Sequence, residues 1–293
     1  MKPSPFAYHR PETLAEALDV LAEAGEHGKV LAGGQSLLPM LAMRLAAPEH
    51  LVDVNRLPGL DGVEVGADGV RVGALARHAA VERDRAASTA LPLLRQALRH
   101  VAHPTIRNRG TTVGSIVHAD PSGEMTAVLV LCDGEVVLAR REGERTVAAE
   151  DFFLGPLESA LQPGELATSV LFRRPREGSG SAWHEVSRRH GDYAVCGVGA
   201  LVSLDADRRV RAARVAYVSM GDVPATVDVL GPVEDRPVDS ADWAAAARLA
   251  VAGQRPDGDI HASAAYRSHL AEVLTARALA DAAGRARPQG AAA

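Results

Sequence analysis

The stretch Lys29-Val30-Leu31-Ala32-Gly33-Gly34-Gln35-Ser36 joins a short apolar strand to two glycines, an amide and a hydroxyl. Because glycine has no Cβ, the backbone N–H groups of such a turn can approach a bound anion closely. The stretch has neither the G-x-G-x-x-G dinucleotide fingerprint nor the Gly-Lys-Ser/Thr that ends a nucleoside-triphosphate loop. It therefore predicts a different anion-binding loop, one suited to a diphosphate.

The elements around this loop predict a βαβ-like unit. Before the loop, Thr13 and Glu16 form a capping-box pattern that begins a helix over 14–22. After it, the apolar run 37–45 predicts a second helix and 51–54 predicts a second strand. The glycine loop is thus expected at the carboxyl end of the unit's first strand, where α/β sheets bind ligands.

Hydrophobic patterns predict alternating strands and helices through the rest of the chain. They predict a hairpin over 62–73, helices over 91–101 and 125–131, strands over 135–139 and 167–172, paired strands over 197–204 and 210–220, and helices over 241–252 and 266–283. Ser122 is the expected cap of the helix over 125–131. The Gly/Ser-rich stretch 175–181 is the predicted exposed boundary, and the tail from Gly284 is expected to fray.

Composition excludes several classes of function. The chain has 293 residues, is 47% hydrophobic and carries a net charge of -5, which predicts a globular protein without a nucleic-acid surface. It contains no apolar run long enough for a membrane span and no signal peptide at its start. The 2 cysteines are too few to ligate an iron–sulfur cluster or a usual zinc site. We therefore expect a cytoplasmic protein without a metal site.

A second stretch rich in glycine and hydroxyls follows the predicted helix over 91–101. Thr111-Thr112-Val113-Gly114-Ser115 again combines small residues and hydroxyls with no acid among them. A glycine pair alone is more often an ordinary turn, so the argument depends on the two stretches together. Together they predict two loops that clamp one diphosphate with backbone N–H groups, rather than a metal-held triphosphate.

Several motifs in a fixed order carry a resemblance to a known family. They are Ala32-Gly33-Gly34-Gln35-Ser36, Arg107-Asn108-Arg109-Gly110-Thr111, Gly114-Ser115, His118-Ala119-Asp120-Pro121, Pro163-Gly164-Glu165-Leu166 and Gly191-Asp192-Tyr193-Ala194. The set resembles the FAD-binding medium subunits of molybdenum hydroxylases. The resemblance implies an α+β fold of the vanillyl-alcohol-oxidase or PCMH type. Two small N-terminal α/β units, 1–55 and 56–176, would hold FAD between them, and 177–293 would form a C-terminal α+β domain with an antiparallel sheet and helices.

The resemblance also implies which residues contact FAD. The diphosphate contacts would be Ala32, Gly33, Gly34, Gln35, Ser36, Thr111, Gly114 and Ser115. Lys29 and Leu37 would flank the first loop, and His118, Asp120 and Glu124 would face the ribityl or adenosine portions. Leu166 would be an apolar contact of the flavin, and Asp192 and Tyr193 would lie beside the isoalloxazine. No catalytic side chain and no metal ligand are implied for this chain.

Two positions depart from the family pattern, and two have ordinary structural alternatives. Val113 stands where the family has glycine, so a glycine-only backbone there would cost about 1–3 kcal/mol in strain. Glu185 stands where the family often has lysine, which reverses the local charge. In isolation Tyr193 is more often a half-buried aromatic with a hydrated hydroxyl, and Asp192 could simply form a turn after Gly191.

The function implied is that of an electron-transfer subunit. In the family a large subunit carries the molybdenum cofactor and a small subunit carries 2Fe-2S clusters, commonly as a dimer of heterotrimers. This chain would hold FAD and pass electrons from those clusters to an external acceptor. One alternative is a stand-alone FAD-dependent oxidase or monooxygenase acting directly on a small molecule. Another is a scaffold protein that has kept the fold and lost FAD.

Overall fold

A computed structural model describes residues 2–287. Its first part contains β1 (Ala7–His9), α1 (Leu14–Ala24), β2 (Gly28–Leu31), α2 (Leu37–Met43) and β3 (His50–Asp53). The three strands form a parallel sheet in the order β1-β3-β2, so β2, α2 and β3 make the predicted βαβ unit. Both hydrogen bonds of the predicted capping box are present at Thr13 and Glu16.

The middle of the chain builds a second sheet with helices around it. Its elements are β4 (Val63–Val65), β5 (Gly69–Gly73), α3 (His78–Arg83), α4 (Arg85–Ala90), α5 (Pro92–Leu98), α6 (Pro104–Arg107), α7 (Thr112–His118), α8 (Glu124–Leu131), β6 (Glu135–Arg140), β7 (Gly143–Ala148), α9 (Ala149–Phe152), β8 (Phe153–Gly155), β9 (Glu158–Ser159) and β10 (Leu166–Arg173). Five strands pair antiparallel in the order β4-β5-β10-β6-β7, and β8 pairs with β9. The predicted hairpin is confirmed as β4 and β5.

The last part is an antiparallel meander covered by helices. It comprises β11 (Ser179–Ser187), β12 (Ala194–Leu204), β13 (Val210–Val218), β14 (Thr226–Asp228), α10 (Trp243–Ala252) and α11 (Ala264–Arg285). The strands pair in the order β11-β12-β13-β14, which confirms the predicted pairing of 197–204 with 210–220. Short 3-10 turns occupy Gly25–His27, Gly231–Val233 and Val238–Ser240.

Helix α8 joins the second and third sheets into one core. All eight of its residues are buried, and it packs against α5, β10, β12 and β13. The largest buried cluster therefore extends from Val70 in β5 to Val218 in β13. A separate cluster lies where α10 and α11 cover the meander. The second and third sheets therefore share one continuous hydrophobic core.

Three local predictions were wrong. The stretch around Thr111 is the start of α7 rather than a loop, because the Thr111 hydroxyl accepts a hydrogen bond from the Gly114 N–H and caps the helix. Ser122 does not cap α8, whose N-cap is Gly123 without a side-chain bond; the Ser122 hydroxyl instead accepts from the Ser219 hydroxyl. The tail does not fray at Gly284, since α11 continues to Arg285; residues 288–293 lie outside the described part.

The predicted boundary also contained an unexpected strand. β11 begins at Ser179, inside the Gly/Ser-rich stretch 175–181. A Cβ at Gly180 would strike the Ala282 carbonyl oxygen and the Ala286 nitrogen, so this glycine permits close approach of α11. No helix within residues 2–287 combines the length and apolar character needed to cross a membrane.

Candidate functional site

The first glycine stretch forms a tight turn between β2 and α2. Gly34 has a φ of +73°, a left-handed conformation that favours glycine. Within residues 2–287, the backbone N–H groups of Gly33, Gly34, Gln35 and Ser36 donate to no protein acceptor. The Ser36 side chain does not cap α2, and the Gln35 amide donates to the Gly33 carbonyl oxygen at 3.2 Å. Four successive donors are thus available at the carboxyl end of β2.

The second segment presents the first turn of α7. The Gly114 N–H donates to Thr111 Oγ1 at 3.1 Å, and a Cβ at position 114 would lie 2.5 Å from that oxygen. Any larger residue at position 114 would therefore disturb the cap. Val113 is in the helix, only 2% exposed, and packed in the large core without a positive φ. The backbone strain expected at Val113 is absent, because residue 113 lies in α7 and has no positive φ.

The two segments touch through their backbones. A Cβ on Gly33 would lie 2.6 Å from the Arg109 carbonyl oxygen, 2.7 Å from Gly110 Cα and 3.0 Å from the Thr111 nitrogen. Those distances are below ordinary van der Waals contact, so only glycine fits at position 33 as the segments stand. Gly110 in turn faces Gln35, whose Cγ would lie 3.6 Å from an added Cβ. The two glycine-containing stretches, which the sequence predicts to lie together, are in direct backbone contact in the structure.

Three residues that the sequence analysis did not single out connect these segments. Asn55 Nδ2 donates to the Ala32 carbonyl oxygen at 2.8 Å. Arg77 donates through Nη2 to Asn55 Oδ1 and through Nη1 to the Arg109 carbonyl oxygen, both at 2.6 Å. The His78 N–H donates to the Gly110 carbonyl oxygen at 2.9 Å. The sequence could have indicated Asn55 as a site residue, because it closely follows a strand of the parallel sheet. No sequence pattern indicates the role of Arg77.

A group of polar side chains lies at the far end of α7. Burial and the positive charge of Lys29 lower the pKa of His118, and Asp120 partly opposes them. Burial, the charge of Asp120 and a hydrogen bond to its carboxylate raise the pKa of Tyr193. Asp120 also accepts from the Ser122 N–H at 2.9 Å. The structure therefore brings four predicted residues, Lys29, His118, Asp120 and Tyr193, into one neighbourhood.

Two buried carboxyl groups adjoin this neighbourhood. Burial and the charge of Glu185 raise the pKa of Glu124, which is 8% exposed, and burial raises the pKa of Glu185. Glu185 accepts from Trp183 Nε1 at 3.1 Å and lies 4.0 Å from His100 Nδ1. Its side chain is only 2% exposed. The sequence comparison predicts a negative charge at Glu185 where the family often has a positive one. Burial favours the neutral carboxyl group, so that negative charge is smaller than the sequence alone implies.

The remaining predicted residues differ in their surroundings. Tyr193 is 68% exposed over the whole residue although its hydroxyl bonds Asp120, and the neighbouring Asp192 is also exposed, so most of the ring and the Asp192 carboxylate face solvent. Leu37 is half-buried at the start of α2. Leu166 is 4% exposed and belongs to a core cluster against which Ala32, at the start of the first loop, also packs. Its assigned flavin contact stays a prediction.

Comparison of the whole sequence with known proteins shows the family of this chain. The chain is 39% identical over 289 residues to 6-hydroxypseudooxynicotine dehydrogenase complex subunit alpha of Paenarthrobacter nicotinovorans, covering 98% of each chain. It is 34% identical to the carbon monoxide dehydrogenase medium chain of Afipia carboxidovorans, covering 98% of this chain and 100% of that one. Residues 4–173 match the family described as FAD binding domain in molybdopterin dehydrogenase. This chain belongs to the FAD-binding medium subunits of molybdenum hydroxylases.

Other comparisons extend the match for this medium subunit to its C-terminal part and its fold. Residues 181–282 match the CO dehydrogenase flavoprotein C-terminal domain. A chain of carbon monoxide dehydrogenase from Hydrogenophaga pseudoflava superposes with a TM-score of 0.91 at 32% identity, covering 98% of this chain and 100% of that one. The expected α+β FAD-binding fold is confirmed, FAD is the cofactor, and the medium subunit is part of an FAD-dependent oxidoreductase.

Proposed function

We propose that this medium subunit transfers electrons within a larger enzyme complex. It would receive electrons from 2Fe-2S clusters of a small partner subunit after substrate oxidation at a molybdenum cofactor in a large partner subunit. It would pass them through FAD to an external acceptor. The proposed assembly is a dimer of heterotrimers in the cytoplasm. The observation that carries the proposal is the backbone contact between Gly33 and residues 109–111, which places the unpaired N–H donors of residues 33–36 beside the start of α7.

The chain's own residues fit a diphosphate at this contact. Four unpaired N–H groups at 33–36 supply donors, and the lack of a Cβ at Gly33 lets this turn lie directly against residues 109–111. Thr111, Gly114 and Ser115 lie in the first turn of α7, whose N-terminal end carries partial positive charge, although the Gly114 and Ser115 N–H groups already donate to Thr111. We infer that the two segments bind the diphosphate of FAD from two sides, with Ala32 and Leu37 supporting the first.

The polar neighbourhood at the end of α7 has the complementary role. We propose that Lys29, His118, Asp120 and Glu124 bind the ribityl or adenosine portions of FAD. Asp192 and Tyr193 would lie beside the isoalloxazine, where the exposed phenol ring can limit the access of solvent and of the acceptor. Bound FAD supplies the redox chemistry, because it can exchange electrons singly or in pairs. No side chain of this subunit then needs to act as an acid or a base.

Isolation of the native protein tests this function directly. Purification through a tag on this chain should bring a large and a small subunit with it. The visible spectrum should show flavin bands near roughly 370 and 450 nm, as expected for protein-bound flavin. Molybdenum and iron should be present in the complex. An FAD-loaded chain that purifies alone and oxidises a small molecule would instead favour the stand-alone flavoenzyme.

The structure weakens the arguments for the alternatives. Val113, one of the two departures that favoured a stand-alone flavoenzyme, is an ordinary core residue of α7. Glu185, the other departure, is bonded to Trp183 in the interior. Four adjacent N–H groups without a protein acceptor fit an FAD-binding subunit better than a scaffold that has lost FAD. Failure of the purified chain to take up FAD would nevertheless favour the scaffold.

A further inference from the structure

The Asn55–Arg77 bridge spans the junction of the proposed diphosphate site. Asn55 binds the carbonyl oxygen of Ala32, directly before Gly33, and Arg77 binds the carbonyl oxygen of Arg109, directly before Gly110. The Nη2–Oδ1 bond of 2.6 Å between the two side chains completes the bridge. One asparagine and one arginine therefore link the two glycine segments through their side chains.

The Arg77 guanidinium donates to two neutral acceptors. Its two bonds go to a side-chain amide oxygen and a backbone carbonyl oxygen, and within residues 2–287 no carboxylate lies within 4.0 Å of it. Burial and the nearby charge of Arg109 lower the pKa of Arg77, while Asp53 opposes them. Asp53 is itself engaged by the Tyr8 hydroxyl at 2.5 Å and the Asn55 N–H at 3.0 Å. Positive charge thus remains incompletely balanced where the segments meet.

An arginine suits this place for two physical reasons. Its planar fork can bind two acceptors in fixed directions, which a lysine ammonium on a flexible stem does less well. Its charge persists at all ordinary pH values, so it attracts an anion in a partly dehydrated setting. The first property orders the two segments, and the second favours a negatively charged ligand between them.

We propose that Arg77, oriented by Asn55, is a positioning residue for the diphosphate of FAD. It fixes the distance between residues 33–36 and residues 109–115 and adds to the positive charge of this junction. The proposal rests on the proposed function, because it assumes that FAD occupies this junction. It does not require the guanidinium to touch the phosphates, since it acts through the two backbone segments and through its field.

Variants of the full-length chain separate these contributions. Arg77→Gln removes the positive charge. Arg77→Lys keeps the charge but lacks the planar guanidinium that donates in two fixed directions. Asn55→Ala removes the side chain that orients Arg77. Arg71→Gln is the matched control, because Arg71 is also a half-buried arginine that donates to a neutral oxygen, Ser169 Oγ at 3.2 Å. Each protein is stripped of FAD, and the dissociation constant of added FAD and the midpoint of thermal unfolding of the apo form are measured.

The expected result is a selective loss of FAD affinity. Losing charge-assisted bonds should weaken FAD binding about 10- to 100-fold in Arg77→Gln. Arg77→Lys and Asn55→Ala should lose less, and Arg71→Gln should match the wild type. The dissociation constant should rise with salt more steeply for the wild type and Arg77→Lys than for Arg77→Gln, because screening acts on the charge. A purely structural arginine would not change that salt slope.

Two outcomes would overturn the inference, and they are distinguishable. If the wild type binds FAD and Arg77→Gln binds it with the same affinity and salt slope, Arg77 does not position the diphosphate. If Arg77→Gln loses affinity only in step with unfolding of its apo form, while Arg77→Lys loses as much, the bridge merely supports the fold. Failure of the wild type to bind FAD would overturn the proposed function itself, and this inference with it.

Discussion

Replacing Gly33 with alanine tests the backbone contact on which the site depends. The added Cβ would meet three backbone atoms of residues 109–111, the nearest being the Arg109 carbonyl oxygen at 2.6 Å. Backbone atoms cannot rotate away as a flexible side chain can. Because ordinary contact begins at 3.4 Å, the second segment must retreat by roughly 0.8 Å.

The cost of that retreat should appear mainly in FAD binding. Overpacking of a well-packed place costs about 1–3 kcal/mol. The apo protein can relieve the strain by parting the two segments, which are joined there by the Arg77 bridge rather than by a sheet. A ligand that needs both segments must close them again, so the same 1–3 kcal/mol corresponds to a loss of affinity of about 5- to 150-fold.

The assay is a titration of the apo protein with FAD, followed by quenching of flavin fluorescence. Gly66→Ala is the matched control, since a Cβ there would meet nothing within 4 Å and Gly66 has no positive φ. Gly33→Ala should fold, with a modestly lowered unfolding temperature, and bind FAD weakly. Equal affinities for Gly33→Ala, Gly66→Ala and the wild type would refute the argument that the two segments act on one ligand.

Three further variants test individual residues. Val113→Ala should lower the free energy of unfolding by about 2 kcal/mol and leave FAD affinity unchanged in a titration, because the lost methyl groups lie in the core. Glu185→Gln should be more stable than the wild type at pH 8, on the order of 1–3 kcal/mol in urea unfolding, and equally stable at pH 4. The reason is that burial raises the pKa of Glu185, so the wild type loses stability as the pH rises above about 4.5; a gain independent of pH would contradict this. Tyr193→Ala should leave stability within about 0.5 kcal/mol, because the residue is 68% exposed, and weaken FAD binding about 2- to 12-fold through lost aromatic contact; unchanged binding would remove Tyr193 from the site.

The elements predicted well from the sequence are those with local causes. The capping box at Thr13, the turn after β2 and the alternation of β12 and β13 all involve residues close in the chain. The two glycine stretches were also recognisable, because a glycine pair before hydroxyls is a local pattern. Their meeting was inferred by combining the stretches, and the structure supplies the contact at Gly33.

The elements that the sequence analysis missed depend on long-range contacts. The stretch 175–181 suggested an exposed boundary, whereas the missing Cβ of Gly180 allows the close approach of α11, which lies about a hundred residues later. Thr111 looked like a loop residue because threonine and glycine favour both loops and helix caps. Arg77 is 22 residues from Asn55 and 32 from Arg109, so no local pattern could indicate its bridge.

The burial of α8 has a consequence for recombination between related genes. Its side chains fit the meander closely enough that a Cβ at Gly199 would lie 3.0 Å from Leu131 Cδ2. A chimaera that took residues after about 176 from a relative would place foreign side chains on this seam, and a mismatch there would open cavities in a shared interior. The flavin-binding half and its C-terminal companion are therefore expected to be inherited together, with compensating substitutions on either side of α8.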